Sequence, residues 1–132
     1  MNQLLCTDRN GNLTTFFFKS ERDETRREIN YKVYADPLPV SGEFFELSVK
    51  DLGNELQVIA MFNHKEPAYK EKGIPDALLL HIAEFFKKSV RSRPKSAPNG
   101  DYRTADATKV WDRLVKKNIA SYFPDEDIYR IP

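Results

Sequence analysis

The sequence predicts a single α/β (α+β) domain in which a mixed, mostly antiparallel sheet is flanked by helices. Two observations lead to this fold class. Short apolar or alternating segments fill the first half of the chain, whereas two segments in the second half repeat their apolar residues at helical spacing. The length of 132 residues suits one domain with its own core, so residues 1–132 are assigned to a single domain.

Five strands are predicted in the first half of the chain. The first two, LLCT and LTTFFF, flank the turn-forming residues 10–12 and can pair as a hairpin. The next two, INYKVYA and FFELSVK, alternate apolar and polar residues, and LQVIAMF is apolar enough for the centre of the sheet. The predicted ranges are 4–7, 13–18, 29–35, 44–50 and 56–62. Between the second and third strands, Ser20 with Asp23 and Glu24 resembles a helix start, which predicts a short polar helix over 20–28.

Two amphipathic helices dominate the second half. The first is predicted over 75–90, where Pro75 suits the first helical position and apolar residues recur every three or four positions. The second begins with Thr104 or Asp106 as its cap and runs to about residue 118. The remaining predicted segments are a basic loop over 91–102 and strands over 119–123 and 128–131.

Composition argues against several classes of protein. Lys and Arg number 21 and Asp and Glu number 20, so global attraction does not favour a polyanion partner. The single Cys6 excludes an internal disulfide, and with two histidines no metal site is predicted. No apolar stretch approaches the roughly 20 residues that span a bilayer, and the N-terminus lacks a signal-peptide pattern. We therefore expect a cytoplasmic protein with no membrane partner.

Positive charge is concentrated in the second half of the chain. Residues 1–66 carry eight basic and eleven acidic side chains, whereas residues 67–132 carry thirteen and nine. Five of those basic residues and no acidic one fall within 87–100. Such a segment can contact phosphates, so a nucleic-acid-binding protein is one hypothesis, although the balanced total charge makes it the third choice.

The segment 67–79 joins the most apolar predicted strand to the first predicted helix. A loop in this position presents unpaired N–H groups at the positive end of a helix dipole, an arrangement that favours an anion. Gly73 allows a phosphate to approach the backbone closely, and Lys70 and Lys72 add positive charge. An ordinary strand-to-helix turn with solvated lysines is the alternative.

Residues of this segment resemble the GNAT acetyltransferase superfamily. Its members carry a strand, a loop of the Pro-x-Tyr-Arg-x-x-Gly-x-Gly/Ala type and a Leu-rich helix, and Pro67, Tyr69, Lys70 and Gly73 fit this pattern. ATKVWDRL, at 107–114, is similar to the family's second signature helix, which lies beside the thioester. The resemblance covers about residues 43–132.

The resemblance implies a GNAT-like fold, acetyl-CoA as cofactor and N-acyltransferase activity toward an amine that the sequence does not identify. It also implies that the basic segment meets the 3′-phosphate of coenzyme A. The residues it assigns to cofactor binding are Asn63, Lys70, Lys72, Gly73, Ile74, Asp76, Ala77 and Trp111.

Two residues are candidates for proton transfer. His64 is the candidate base because histidine titrates near neutral pH, and Tyr122 is the candidate acid. The chain departs from the family at Pro75, which has no N–H for a phosphate, and at Trp111, where many members carry an acidic Tyr. These departures favour an alternative, a non-catalytic GNAT-like module that binds acyl-CoA or a protein partner. Exposed N-terminal strands could also pair two chains as a homodimer.

Overall fold

A computed structural model describes residues 2–95 and 103–132, which form one eight-stranded sheet with two helices packed on it. This confirms the predicted mixed fold with a mostly antiparallel sheet. The strands are β1 (Asn2–Thr7), β2 (Leu13–Asp23), β3 (Glu28–Tyr34), β4 (Phe45–Asp51), β5 (Glu55–Phe62), β6 (Ser89–Arg91), β7 (Ser121–Phe123) and β8 (Ile128–Ile131), and the helices are α1 (Ile74–Phe86) and α2 (Ala105–Lys116).

The strand order across the sheet is β1-β2-β3-β4-β5-β6-β8-β7. Neighbouring strands are antiparallel except β5 and β6, which are parallel and are connected through α1. The predicted β1–β2 hairpin is confirmed, and the Asp8 N–H donates to the Asn12 carbonyl at 3.0 Å in its turn. The predicted pairing of β4 with β5 is also confirmed.

The core lies between the helices and one face of the sheet. Alternate residues of β2–β5 are buried on this face, including Phe16, Leu47 and Leu56, and they pack with Leu78 and Leu79 of α1. The intervening strand residues are polar or only partly buried and line the opposite face, which we call the open face. Among the described residues, no helix is long and apolar enough to cross a membrane.

The predicted polar helix over 20–28 is wrong. Strand β2 continues to Asp23, a turn follows, and β3 begins at Glu28, so the polar residues belong to an extended hairpin. Arg22 donates to the Asp51 carboxylate at 3.0 Å, which holds the end of β2 against residues distant in sequence. Neither an exposed strand end nor a polar helix shows apolar periodicity, so the sequence pattern does not separate them.

The first helix ends earlier than the predicted residue 90. Lys87 adopts a left-handed conformation with φ of 53°, which stops α1 at Phe86. The next residues then form β6, because they pair with the first residues of β5. The predicted basic loop over 91–102 therefore begins inside a strand, and residues 96–102 lie outside the described part of the chain.

The other C-terminal predictions hold more closely. The Thr104 hydroxyl accepts the Ala107 N–H at 3.1 Å, so Thr104 caps α2 and the alternative, Asp106, lies inside the helix. The strand expected over 119–123 is confined to β7, and β8 occupies the predicted residues 128–131.

Asp51 is the buried carboxylate that joins two parts of the sheet. It accepts the Gly53 N–H at 2.9 Å and lies 3.0 Å from the Arg22 guanidinium and 3.3 Å from the Lys88 ammonium. The backbone hydrogen bond and these cations lower the pKa of Asp51 from 3.8 to about 2.

Asp51→Asn is expected to lower the free energy of unfolding by about 2 kcal/mol near neutral pH. Because the folded-state pKa lies below the unfolded value, this stabilisation is present above the unfolded pKa of 3.8 and is lost as the pH falls toward 2. Urea denaturation of both proteins across this acidic range measures the difference. A difference that stays constant with pH would contradict the role of the ionised carboxylate.

Candidate functional site

Strands β5 and β6 separate shortly after they meet. Their pairing covers only residues 55–57 of β5, so beyond residue 57 the edge of β5 has no strand beside it on the β6 side within the described residues. Ile59 is an extra residue in β5, because Ser48 pairs with Ala60 and Val49 with Val58. A bulge of this kind bends a strand and locally ends its pairing.

The separation leaves a cavity of about 220 Å³, which we call the β5–β6 cleft. It is lined by residues 58–62 of β5, by Ser92 and Arg93 after β6, and by Arg103, Thr104, Ala107 and Trp111 at the start of α2. One side of the cleft is therefore an apolar strand edge, and the other side carries two arginines.

Trp111 forms the buried floor of the cleft. It is 1 % exposed, and its ring stacks on Tyr129 with centroids 5.9 Å apart. The Tyr129 hydroxyl donates to Asp112, and burial together with this bond raises the pKa of Tyr129 to about 12. Trp111 thus lies in the core and also lines the cavity, so the structure places this predicted cofactor-binding residue where it could touch a ligand.

Arg103 joins three segments around the cleft. Its Nη1 donates to the Arg93 carbonyl at 2.9 Å and to the Asp127 carbonyl at 3.1 Å, and its Nε donates to the Thr108 hydroxyl at 2.7 Å. The guanidinium also lies 4.8 Å from the centroid of the Tyr129 ring. Because the Arg103 side chain is 4 % exposed, these bonds fix the spacing between α2, the end of β6 and the β7–β8 turn.

Arg93 spans the cleft at the bulge. Its Nη1 donates to the Ile59 carbonyl at 3.1 Å, so it satisfies an acceptor that a neighbouring strand would otherwise use. A ligand that lies along the β5 edge would compete with Arg93 for this carbonyl.

His64 lies at the end of β5 beside two carboxylates. Its Nδ1 is 3.7 Å from Glu43 and its Nε2 is 3.5 Å from Glu46. Its ring also contacts Phe44 and Phe62, with centroids 5.4 Å and 6.1 Å away. Since Phe62 lines the cleft, the structure brings this predicted base close to the cavity, on the side of the open face.

The loop predicted to hold a phosphate does not line this cleft. Gly73 packs against the backbone of Thr7 in β1, and three strands lie between β1 and β5. Ile74 is fully buried, and Asp76 is paired with Arg113 at 2.9 Å and Lys117 at 2.8 Å. The other predicted loop residues, Lys70, Lys72 and Ala77, are likewise absent from the cleft lining.

Two further predicted residues lie near the cleft but outside its lining. The Asn63 side chain accepts the Lys65 N–H at 2.9 Å and so shapes the turn after β5. Tyr122 donates its hydroxyl proton to Asp127 at 2.7 Å, and this hydrogen bond raises the pKa of Tyr122. The Tyr122 ring lies 4.7 Å from the Tyr129 ring, and Tyr129 in turn stacks on Trp111 at the cleft. Tyr122 therefore does not line the cleft.

Basic residues of the segment 87–100 are engaged within the domain. Lys88 pairs with Asp51 at 3.3 Å, and Arg91 pairs with Glu55 at 3.2 Å. Residues 96–100 lie outside the described part of the chain. Within the described residues, no group of three or more His, Cys, Asp or Glu side chains could hold a metal ion.

Sequence reasoning missed Arg103 and the bulge at Ile59. Arg103 gave no signal because two of its partners, Arg93 and Asp127, lie 10 and 24 residues away. A bulge inside an apolar run leaves the run unchanged. No protein-family model, curated protein or solved structure matched this chain in the comparisons.

Proposed function

We propose that the protein binds an acyl-coenzyme A thioester in the β5–β6 cleft and transfers the acyl group to an amine. The observation that supports this is the edge of β5 at residues 58–62, which has no strand beside it on the β6 side within the described residues and whose Ile59 carbonyl accepts only from Arg93 among the hydrogen bonds found there. The arm of coenzyme A is extended and contains amide groups. It can therefore hydrogen-bond to a strand edge as another strand would.

The dimensions of the cleft favour a ligand that is only partly enclosed. At about 220 Å³ the cleft is smaller than the roughly 300–1,000 Å³ of pockets that enclose a whole drug-sized ligand. A long ligand would place its arm between the strands and keep its nucleotide outside. Arg93 lines the cleft, where its positive charge favours the phosphates of such a ligand.

His64 is the group we assign to proton transfer. A thioester supplies an acyl group that is already activated, so the chain mainly has to position it and take a proton from the attacking amine. Glu43 and Glu46 lie on either side of the imidazole, 3.7 Å from its Nδ1 and 3.5 Å from its Nε2. The amine would approach from the open face, because Phe62 connects His64 to the cleft on that side.

The second candidate is a module that binds acyl-CoA without reacting. One observation favours it. Trp111 occupies the position where the resemblance implies a tyrosine that acts as general acid, and it is buried in the core. Tyr122, the other candidate acid, donates a hydrogen bond to Asp127 and does not line the cleft. In this case ligand binding would be retained with no turnover.

Titration calorimetry with coenzyme A and acetyl-CoA tests the shared step. Ala107→Phe, which places a ring in the cleft, is expected to weaken binding at least about tenfold. Ala105→Phe on the exposed side of the same helix is the matched control and should bind like the wild type. No heat with the wild type at millimolar ligand, or equal affinity in both variants, would contradict the assigned site.

A free-thiol assay then separates the two candidates. Release of coenzyme A thiol from acetyl-CoA in the presence of an amine panel supports the transferase. Tight binding without release supports the non-catalytic module.

A further inference from the structure

Strand β1, the six residues Asn2–Thr7, forms an outer edge of the sheet and carries no charged residue or proline to protect that edge. Natural sheet edges are commonly shielded by lysine, proline, a bulge or a covering segment, because unpaired N–H and C=O groups attract another strand. Leu5, in the middle of β1, is also 60 % exposed.

The alternation of hydrogen-bonded pairs between β1 and β2 shows which backbone N–H and C=O groups of β1 point away from the sheet. The Asp8 N–H donates to the Asn12 carbonyl in the register that continues through the hairpin. Hydrogen-bonded and non-hydrogen-bonded pairs alternate along an antiparallel ladder, so Gln3, Leu5 and Thr7 direct their backbone groups away from β2.

One end of this edge is already covered. A Cβ built on Gly73 would lie 2.1 Å from the Thr7 carbonyl oxygen, so the segment before α1 sits directly against Thr7. Outside the strand ladder, no backbone hydrogen bond of Gln3 or Leu5 is found in the described part of the chain. The free portion of the edge therefore centres on Leu4.

We propose that two copies of this chain pair antiparallel along β1, with a two-fold axis at Leu4. In this register Gln3 of each copy faces Leu5 of the other, and each pair exchanges two backbone hydrogen bonds. Leu4 lies opposite its own copy on the helix-covered face, where its side chain is already buried within each chain, so the exposed Leu5 supplies the new apolar contact. Since β1 is uncharged, the two-fold places no like charges opposite each other.

Apolar side chains next to the edge add to this contact. Leu5 faces Thr15 across β1–β2, so Leu13 and Phe17 are its diagonal neighbours on the open face. Leu13 is 64 % exposed. The proposed contact is limited to the residues around Leu4 and their apolar neighbours. Stable interfaces bury roughly 1,200–2,000 Å², and we expect this smaller contact to give a dimer that dissociates on dilution.

Sedimentation velocity over a concentration series tests the proposal. The wild type should shift from monomer to dimer as concentration rises. Gln3→Pro removes an N–H that points away from β2, so the hairpin should fold while the dimer dissociation constant rises at least about tenfold. Gln3→Thr keeps the N–H and is the control. A wild type that stays monomeric at every concentration, or a Gln3→Pro dimer of unchanged strength, would overturn the proposal.

Cross-linking tests the register separately. A mixture of Gln3→Cys and Leu5→Cys chains should form a mixed disulfide under mild oxidation faster than either variant alone, because only unlike positions face each other. The native Cys6 is fully buried and does not compete. Faster linkage within either single variant would exclude the Leu4-centred axis.

Discussion

Gly73→Ala is expected to lower the free energy of unfolding by about 3 kcal/mol. Two effects add at this position. Gly73 has φ of 78°, which costs an L-residue roughly 1 kcal/mol. The new methyl would also lie 2.1 Å from the Thr7 carbonyl oxygen, a backbone atom that moves only if β1 or α1 moves.

Gly53→Ala separates these two effects. Gly53 also has a positive φ, of 96°, but a Cβ there would meet no atom within 4 Å. We expect it to cost only the conformational part, about 1 kcal/mol, in urea or thermal denaturation. If the two variants lose equal stability, close packing of Gly73 against Thr7 does not contribute.

Arg103→Met is expected to lower the free energy of unfolding by about 2–3 kcal/mol, because it removes a guanidinium that is 4 % exposed and leaves buried acceptors without their donor. The Asp127 carboxylate, 3.2 Å from Arg103, would lose its cation, and the carbonyls of Arg93 and Asp127 would lose their donor. Arg103→Lys keeps the charge but not the planar fork, so we expect an intermediate loss.

Arg26→Met is the matched surface control. Its side chain is 74 % exposed and lies 4.0 Å from Asp23, a geometry worth less than about 1 kcal/mol. Urea denaturation of the three variants under one condition gives the comparison. An Arg103→Met protein within 1 kcal/mol of the wild type would show that its hydrogen bonds do not hold the domain together.

The sequence predicts elements well where local pattern and tertiary contact agree. Alternation over FFELSVK and the apolar run in β5 identified a hairpin whose strands do pair. Thr104 as a helix cap was readable because its hydroxyl bonds only three residues ahead. In both cases the stabilising contacts lie close in sequence.

Prediction failed where distant contacts decide the structure. Residues 20–23 are extended because they pair with β3, residues 24–27 form the turn, and Arg22 reaches Asp51, 29 residues away. Gly73 was expected to let a phosphate approach the backbone closely. In the structure the backbone of Thr7, 66 positions earlier, makes this close approach instead. No local pattern distinguishes these two uses of the same residue.

The short β5–β6 ladder also has a mechanical consequence. Strands β1–β5 and strands β6–β8 are joined in the sheet by only three residue pairs, those between β5 and β6, among the described residues. This short junction, which we call the seam, divides the domain into two halves. Amides at Ser89–Arg91 should exchange with solvent faster than those at the centre of β3. A molecule bound at the seam would connect both halves as an added strand would. Slower amide hydrogen exchange in β5 and in β6 would then report its binding before any reaction is measured.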